Sequence, residues 1–148
     1  MTRRRSWAGG STGRLCHDDR MPEPASDAWL TSVTETLRSH GAAFAFVFGS
    51  GARGDQRADS DVDVGAWWPT EPPQSFEVLL PVGVDLLVLN QAPLELAGRV
   101  ALEGSLLFDD DPVQRVRWLA TTRKIYADER PRIERSHREF AESLRRGR

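Results

Sequence analysis

The chain has 148 residues, of which 39% are hydrophobic and 28% are charged, with 12 Gly and 9 Pro. This length and composition favour one globular domain and exclude a collagen-like or fully disordered chain. No apolar run approaches the roughly 18 residues of a membrane-spanning helix, so no membrane partner is expected. The single cysteine, Cys16, excludes an intramolecular disulfide and a cysteine-rich zinc site, and favours a cytoplasmic location.

The net charge of −2 is unevenly distributed along the chain. Residues 43–112 carry twelve acidic side chains against three Arg, whereas residues 113–148 carry eleven basic side chains against five acidic ones. In the basic tail, Glu134, Glu139 and Glu142 are interspersed with Arg, which favours an ordinary charged helix over nucleic-acid binding. The acidic middle is either a solvated surface or a cation site, and the spacing of its residues must decide which.

The first half of the chain contains a leader, a helix and two strands. Residues 1–25 mix Arg, Gly, Ser and Pro without apolar periodicity, which predicts a disordered leader before one domain over residues 26–148; Met21 is an alternative start. The pattern then predicts a helix over about 27–40 that ends at Gly41, and a buried strand over 43–48. Residues 49–60 form a loop or a short helical turn, and alternating acidic and apolar residues predict a second strand over 61–68.

The second half continues the alternation of strands and helices. Residues 74–80 allow a short helix or an irregular crossover, and residues 82–90 predict a third strand, apolar on both faces except for Asp85. A helix over 93–103 and a strand over 105–111 follow. Two charged helices, 113–130 and 132–146, are expected on either side of Pro131. The alternation predicts an α/β fold.

The chemistry is expected between the first two strands. A glycine and a serine, Gly49 and Ser50, end the first strand, where backbone N–H groups and a hydroxyl can receive phosphate oxygens. Alone this pair would be an ordinary turn. After ten intervening residues come Asp61 and Asp63, spaced i, i+2, which places both carboxylates on one face of a strand. Two like charges this close repel each other unless a cation or a proton intervenes, so the pair indicates a divalent cation.

Asp85 is a third candidate, because a lone charge within an apolar strand is unfavourable unless it is paired or bound to a metal. If its strand lies beside 61–68, three carboxylates converge near the phosphate-binding turn. This donor set suits Mg²⁺, and two such ions can assist in-line displacement at phosphorus. The predicted reaction class is phosphoryl or nucleotidyl transfer.

The segment GSGARGDQRADSDVD resembles the motif of minimal nucleotidyltransferases of the DNA polymerase β-like superfamily, in which Gly-Ser is followed after ten residues by Asp-x-Asp. Gly49, Ser50, Asp61 and Asp63 fill its defining positions, and Asp85 in VDLLVLN matches the third acid. The similarity extends loosely over residues 27–145. Chains of this size resemble the MNT antitoxins that are paired with HEPN-domain ribonuclease toxins. One departure is the proline-rich crossover over 69–81, which is shorter than the helix usual in this family.

The resemblance implies a small mixed sheet flanked by helices, with helices at the C-terminus. It also implies that ATP binds with two Mg²⁺ ions and that AMP is transferred with release of pyrophosphate, here to a tyrosine of a cognate HEPN toxin. Gly49 and Ser50 would contact the triphosphate, and Asp61, Asp63 and Asp85 would be the catalytic metal ligands. Arg53 would bind the triphosphate or would instead pair with a neighbouring acid.

Two alternatives remain open at the level of the sequence. A non-catalytic antitoxin would block its partner by contact through the helical tail. A transferase acting on a small molecule such as an aminoglycoside usually carries a further helical domain, for which 148 residues leave little room.

Overall fold

The computed structural model describes residues 27–49 and 62–147. Three helices, α1 (Asp27–Ser39), α2 (Leu94–Glu103) and α3 (Pro112–Arg146), accompany four strands. The strands are β1 (Phe44–Phe48), β2 (Val62–Trp67), β3 (Val84–Val88) and β4 (Ser105–Asp109). The predicted leader and residues 50–61 lie outside the described part. Among the described helices, none is both long and apolar enough to cross a membrane.

The four strands form one mixed sheet in the order β3-β2-β1-β4. β1 is antiparallel to β2 and β4, whereas β2 and β3 are parallel. A parallel pair needs a long crossover. Here it occupies the stretch between β2 and β3 and contains only a short 3-10 helix, Ser75–Glu77. The predicted mixed sheet and the predicted irregular crossover are both confirmed.

The sheet is covered on both faces, which gives three layers. On one face, α1 packs Trp29, Val33 and Leu37 against alternate residues of the strands, such as Val64. On the other face, α2 and α3 cover the aromatic side chains of β1. α2 and α3 lie so close together that a Cβ on Gly98 would come within 2.3 Å of the ring of Tyr126.

Hydrogen bonds at the C-terminal end of α1 fix the path of the chain from this helix into β1. Gly41 has φ +88°, and the amides of Gly41 and Ala42 donate to the carbonyls of Arg38 and Leu37. These two bonds form a Schellman motif, which confirms that the helix closes at Gly41. The Arg38 guanidinium also binds both carboxylate oxygens of Asp110, at 2.7 and 2.8 Å, and thereby joins α1 to the end of β4.

The prediction of two C-terminal helices was wrong, because α3 continues through Pro131. A proline inside a helix removes the hydrogen bond to the carbonyl of residue i−4, here Ala127. Both residues are exposed, so water can satisfy that carbonyl. Ion pairs from Arg130 to Glu134 and from Arg132 to Glu129 connect the residues on the two sides of the proline.

Candidate nucleotidyl-transfer site

The register of the sheet brings two of the predicted acids together. Phe48 of β1 is paired with Asp63 of β2, and Asp63 is paired in turn with Asp85 of β3. Paired residues on neighbouring strands point to the same face, and the strands lie about 4.8 Å apart. The face is the one covered by α2 and α3, because Leu87, two residues after Asp85, packs against the aromatic residues of β1. The two carboxylates therefore stand side by side at one end of the sheet.

Gly49 is required at this position by both its backbone conformation and its surroundings. Its φ of +73° lies in the left-handed region that other residues rarely adopt. A Cβ built on Gly49 would lie 2.8 Å from Oδ2 of Asp63. The turn after β1 thus passes directly against the carboxylate of Asp63, which brings the predicted phosphate-binding turn and the predicted metal ligand into contact.

Asp63 and Asp85 line a cleft of about 270 Å³ between the sheet and α2. Its apolar wall includes Phe48, Leu87 and Leu96, and its charged residues are Asp63, Asp85 and Arg99. Asp63 is half-buried and Asp85 is exposed. An apolar cleft with a few converging charged groups is the usual form of a ligand site.

The position of Asp85 differs from the sequence argument in one respect. We expected Asp85 to lie in a buried strand, where the charge would need a partner. Within the described residues β3 is instead an edge strand, and Asp85 is exposed to solvent. Burial therefore does not explain this acid, whereas its place beside Asp63 does.

Three predicted site residues, Ser50, Arg53 and Asp61, lie outside the described residues. Within 27–49 and 62–147 no group of three or more His, Cys, Asp and Glu is placed to hold a metal ion. The described donors for a metal are thus Asp63 and Asp85, and their oxygens are of the hard type that Mg²⁺ prefers.

Arg99 is a residue that the sequence analysis missed. It follows the buried Gly98 on α2, and it lines the same cleft as Asp63 and Asp85. The sequence did contain a signal for this residue. Residues 43–112 have twelve acidic side chains and only three basic ones, and Arg99 is one of the three.

Comparison with known proteins identifies the family. The family described as polymerase beta, nucleotidyltransferase, matches residues 31–113, which is more than half of the chain. The chain belongs to this nucleotidyltransferase family. The match covers most of α1, all four strands and α2. The resemblance and the enzyme class inferred from the motif are confirmed. No curated protein matches the chain.

Three of the solved structures with a similar fold are of toxin–antitoxin proteins. A toxin–antitoxin structure with AMP-PNP is 21% identical with a TM-score of 0.58, and covers 73% of this chain and 98% of its own. A MntA-HepT structure is 17% identical with a TM-score of 0.53, and the match covers 76% of this chain and 99% of that one. A third structure contains a tri-AMPylated Shewanella oneidensis HEPN toxin in complex with MNT antitoxin. It is 19% identical with a TM-score of 0.53, and the match covers 74% of this chain and 97% of that one. At these identities the similarity shows a shared fold.

Proposed function

We propose that this nucleotidyltransferase transfers AMP from ATP to a protein hydroxyl, a tyrosine of a cognate HEPN ribonuclease toxin, and so acts as its antitoxin. The observation that carries the proposal is the pairing of Asp63 with Asp85 directly against the Gly49 turn, in a chain of this family. The proposed location is the cytoplasm, where ATP is available as the donor.

In the proposed site, the Gly49 turn with Ser50 and Arg53 binds the triphosphate. The cleft residue Arg99 adds a guanidinium for a phosphate oxygen. Asp61, Asp63 and Asp85 would hold two Mg²⁺ ions, which when bound would neutralise triphosphate charge and favour ionisation of the acceptor hydroxyl. The described donors fit, because Asp63 and Asp85 are carboxylates of adjacent strands that line the same cleft.

The reaction itself is a displacement at the α-phosphorus of ATP. The acceptor oxygen forms a bond to this phosphorus, and the bond to the bridging oxygen between the α- and β-phosphorus atoms breaks. Pyrophosphate leaves, and the hydroxyl proton is released to solvent. The cleft would hold the two reacting groups in line, and such positioning supplies much of the catalysis of phosphorus transfer.

Support for the acceptor comes from the similar structures. One of them contains a toxin that carries AMP groups together with an MNT antitoxin, and another contains AMP-PNP. The match spans nearly the whole of those chains.

The test uses the purified protein, Mg²⁺, ATP labelled on the α-phosphate and the product of the adjacent gene. We expect label on a tyrosine of that product. Asp63→Asn and Asp85→Asn should each reduce labelling at least about a hundredfold. Asp128→Asn, which removes an exposed carboxylate of α3, is the matched control and should label normally. Labelling that is equal in all four proteins, or absent from the wild type, would contradict the proposal.

A second candidate is an antitoxin that acts by contact. It is favoured by the exposure of α3, whose last residues include the exposed side chains Phe140 and Leu144. The double variant Asp63→Asn with Asp85→Asn separates the two functions in cells. If that variant still neutralises the toxin while truncation of the tail abolishes neutralisation, contact is sufficient and transfer is dispensable.

A further inference from the structure

A second groove adjoins the cleft on the outer side of β3. It has a volume of about 440 Å³ and lies between the crossover segment 75–80 and the strand residues Val84, Asp85 and Leu86. Consecutive residues of a strand point to opposite faces of its sheet. A groove lined by three consecutive strand residues therefore runs along the edge of the strand and not across one face.

The edge of β3 presents backbone groups to this groove. Within the described residues β3 pairs with β2 alone. The Leu89 amide donates to Ala66 of β2, and the Gly83 carbonyl accepts from Val62, so the odd-numbered residues of this stretch direct their backbone groups towards β2. The N–H and C=O of Leu86 consequently point away from β2, into the groove. An exposed strand edge of this kind binds extended chains.

The rim of the groove is apolar and exposed. Phe76 and Leu79, which line the groove, are 77% and 84% exposed, and Val82 in the turn before β3 is 85% exposed. These three side chains belong to the crossover and the turn before β3, in place of the usual longer helix. Apolar side chains grouped at an exposed strand edge indicate a surface that binds a partner.

We propose that this groove binds an extended, apolar segment of the protein acceptor, which pairs with the edge of β3 at Leu86. The inference rests on the proposed function. The choice of the acceptor as the bound partner follows from the position of the groove, which is continuous with the cleft because Asp85 lines both. A strand added outside β3 would continue the row formed by Phe48, Asp63 and Asp85. The acceptor residue in that row would lie about 4.8 Å from Asp85 along the sheet, with its side chain on the face of the cleft.

The experiment measures labelling of the adjacent gene's product by wild-type protein and by the groove variant, which combines Phe76→Ser with Leu79→Ser. We expect the variant to raise the KM for the acceptor at least about tenfold and to leave the KM for ATP unchanged. The matched control is Leu102→Ser with Leu106→Ser, two exposed leucines, the second of which lies on β4 at the opposite edge of the sheet. This control should behave like the wild type.

Hydrogen exchange supplies a second measurement that does not depend on a substitution. Addition of the acceptor should slow exchange of the Leu86 amide. An unchanged KM for the acceptor in the groove variant, or unchanged exchange at Leu86, would overturn the inference. If the wild type still labels the acceptor in that case, the proposed function stands. Protection of Leu86 that rises with protein concentration alone would assign the groove to a second copy of this chain instead. No labelling by the wild type would overturn both proposals.

Discussion

Replacement of Gly49 by alanine separates the stability of the turn from its role in the site. The left-handed conformation at φ +73° costs an L-residue about 1–2 kcal/mol. The new Cβ would also lie 2.8 Å from Oδ2 of Asp63, whereas ordinary contact begins at 3.4 Å, so the carboxylate must move by about 0.6 Å. A carboxylate at the end of a side chain can move this far at little cost in stability, but not without a change in the site.

Gly41 provides the matched control. Its φ of +88° imposes the same backbone penalty, but a Cβ there would meet only Cδ1 of Trp68 at 3.9 Å, an ordinary contact. We expect Gly49→Ala and Gly41→Ala to lower the melting temperature by similar amounts, roughly 4–10 °C. Misplacement by 1 Å can reduce a rate about a hundredfold, so only Gly49→Ala should reduce nucleotidyl transfer, by at least about tenfold.

The assay combines thermal melts with initial rates of labelling at saturating ATP, below both melting temperatures. A further readout is the rise in melting temperature on addition of Mg²⁺ with ATP, since a ligand that binds the folded protein stabilises it. That rise should be kept in Gly41→Ala and reduced in Gly49→Ala. Equal activity of the two variants would refute the argument that the turn positions the carboxylate of Asp63.

Three further predictions concern residues around the site. Arg99→Ala should raise the KM for ATP about tenfold, with partial rescue by Arg99→Lys and no effect of the exposed control Arg117→Ala, as measured by steady-state kinetics. The Arg38 guanidinium, hydrogen-bonded to Asp110, holds the pKa of that carboxyl below its usual range, so the pair adds stability above about pH 4 that is lost as the pH falls through the lowered pKa. Asp110→Asn should therefore lower the melting temperature at pH 7, and the difference from wild type should shrink as the pH falls below about 4. Gly98→Ala should force α2 away from α3 and lower the midpoint of urea unfolding.

Much of the fold was predictable because its signals are local. The strand β1 is a short aromatic run, the end of α1 is marked by Gly41, and the 3-10 crossover follows from clustered prolines. The resemblance implied that Asp85 belongs to the same site as Asp63, and the parallel pairing of β2 and β3 places the two residues side by side.

The remaining features depend on tertiary packing, which no local pattern contains. The run 82–90 is apolar on both faces because the crossover and α2 cover its two faces, yet its outer edge is open, so Asp85 is exposed. Pro131 indicated a helix end, but α3 continues because that stretch lies in solvent with charged neighbours on both sides. Arg99 belongs to no recognised sequence motif, so its position in the cleft between the sheet and α2 is visible only in the structure.

The register of the sheet is itself a determinant of the site. Side chains of a strand alternate between faces, so a slip of one residue between β2 and β3 would move a carboxylate from the cleft into the core beneath α1. That core holds the register: Val62 and Val64 are buried there, with Val84 and Leu86 of β3 packed beside them. The apolar residues that alternate with the two acids therefore do more than stabilise the protein. They place two negative charges side by side at the mouth of the cleft, an arrangement that becomes favourable when a cation binds between them.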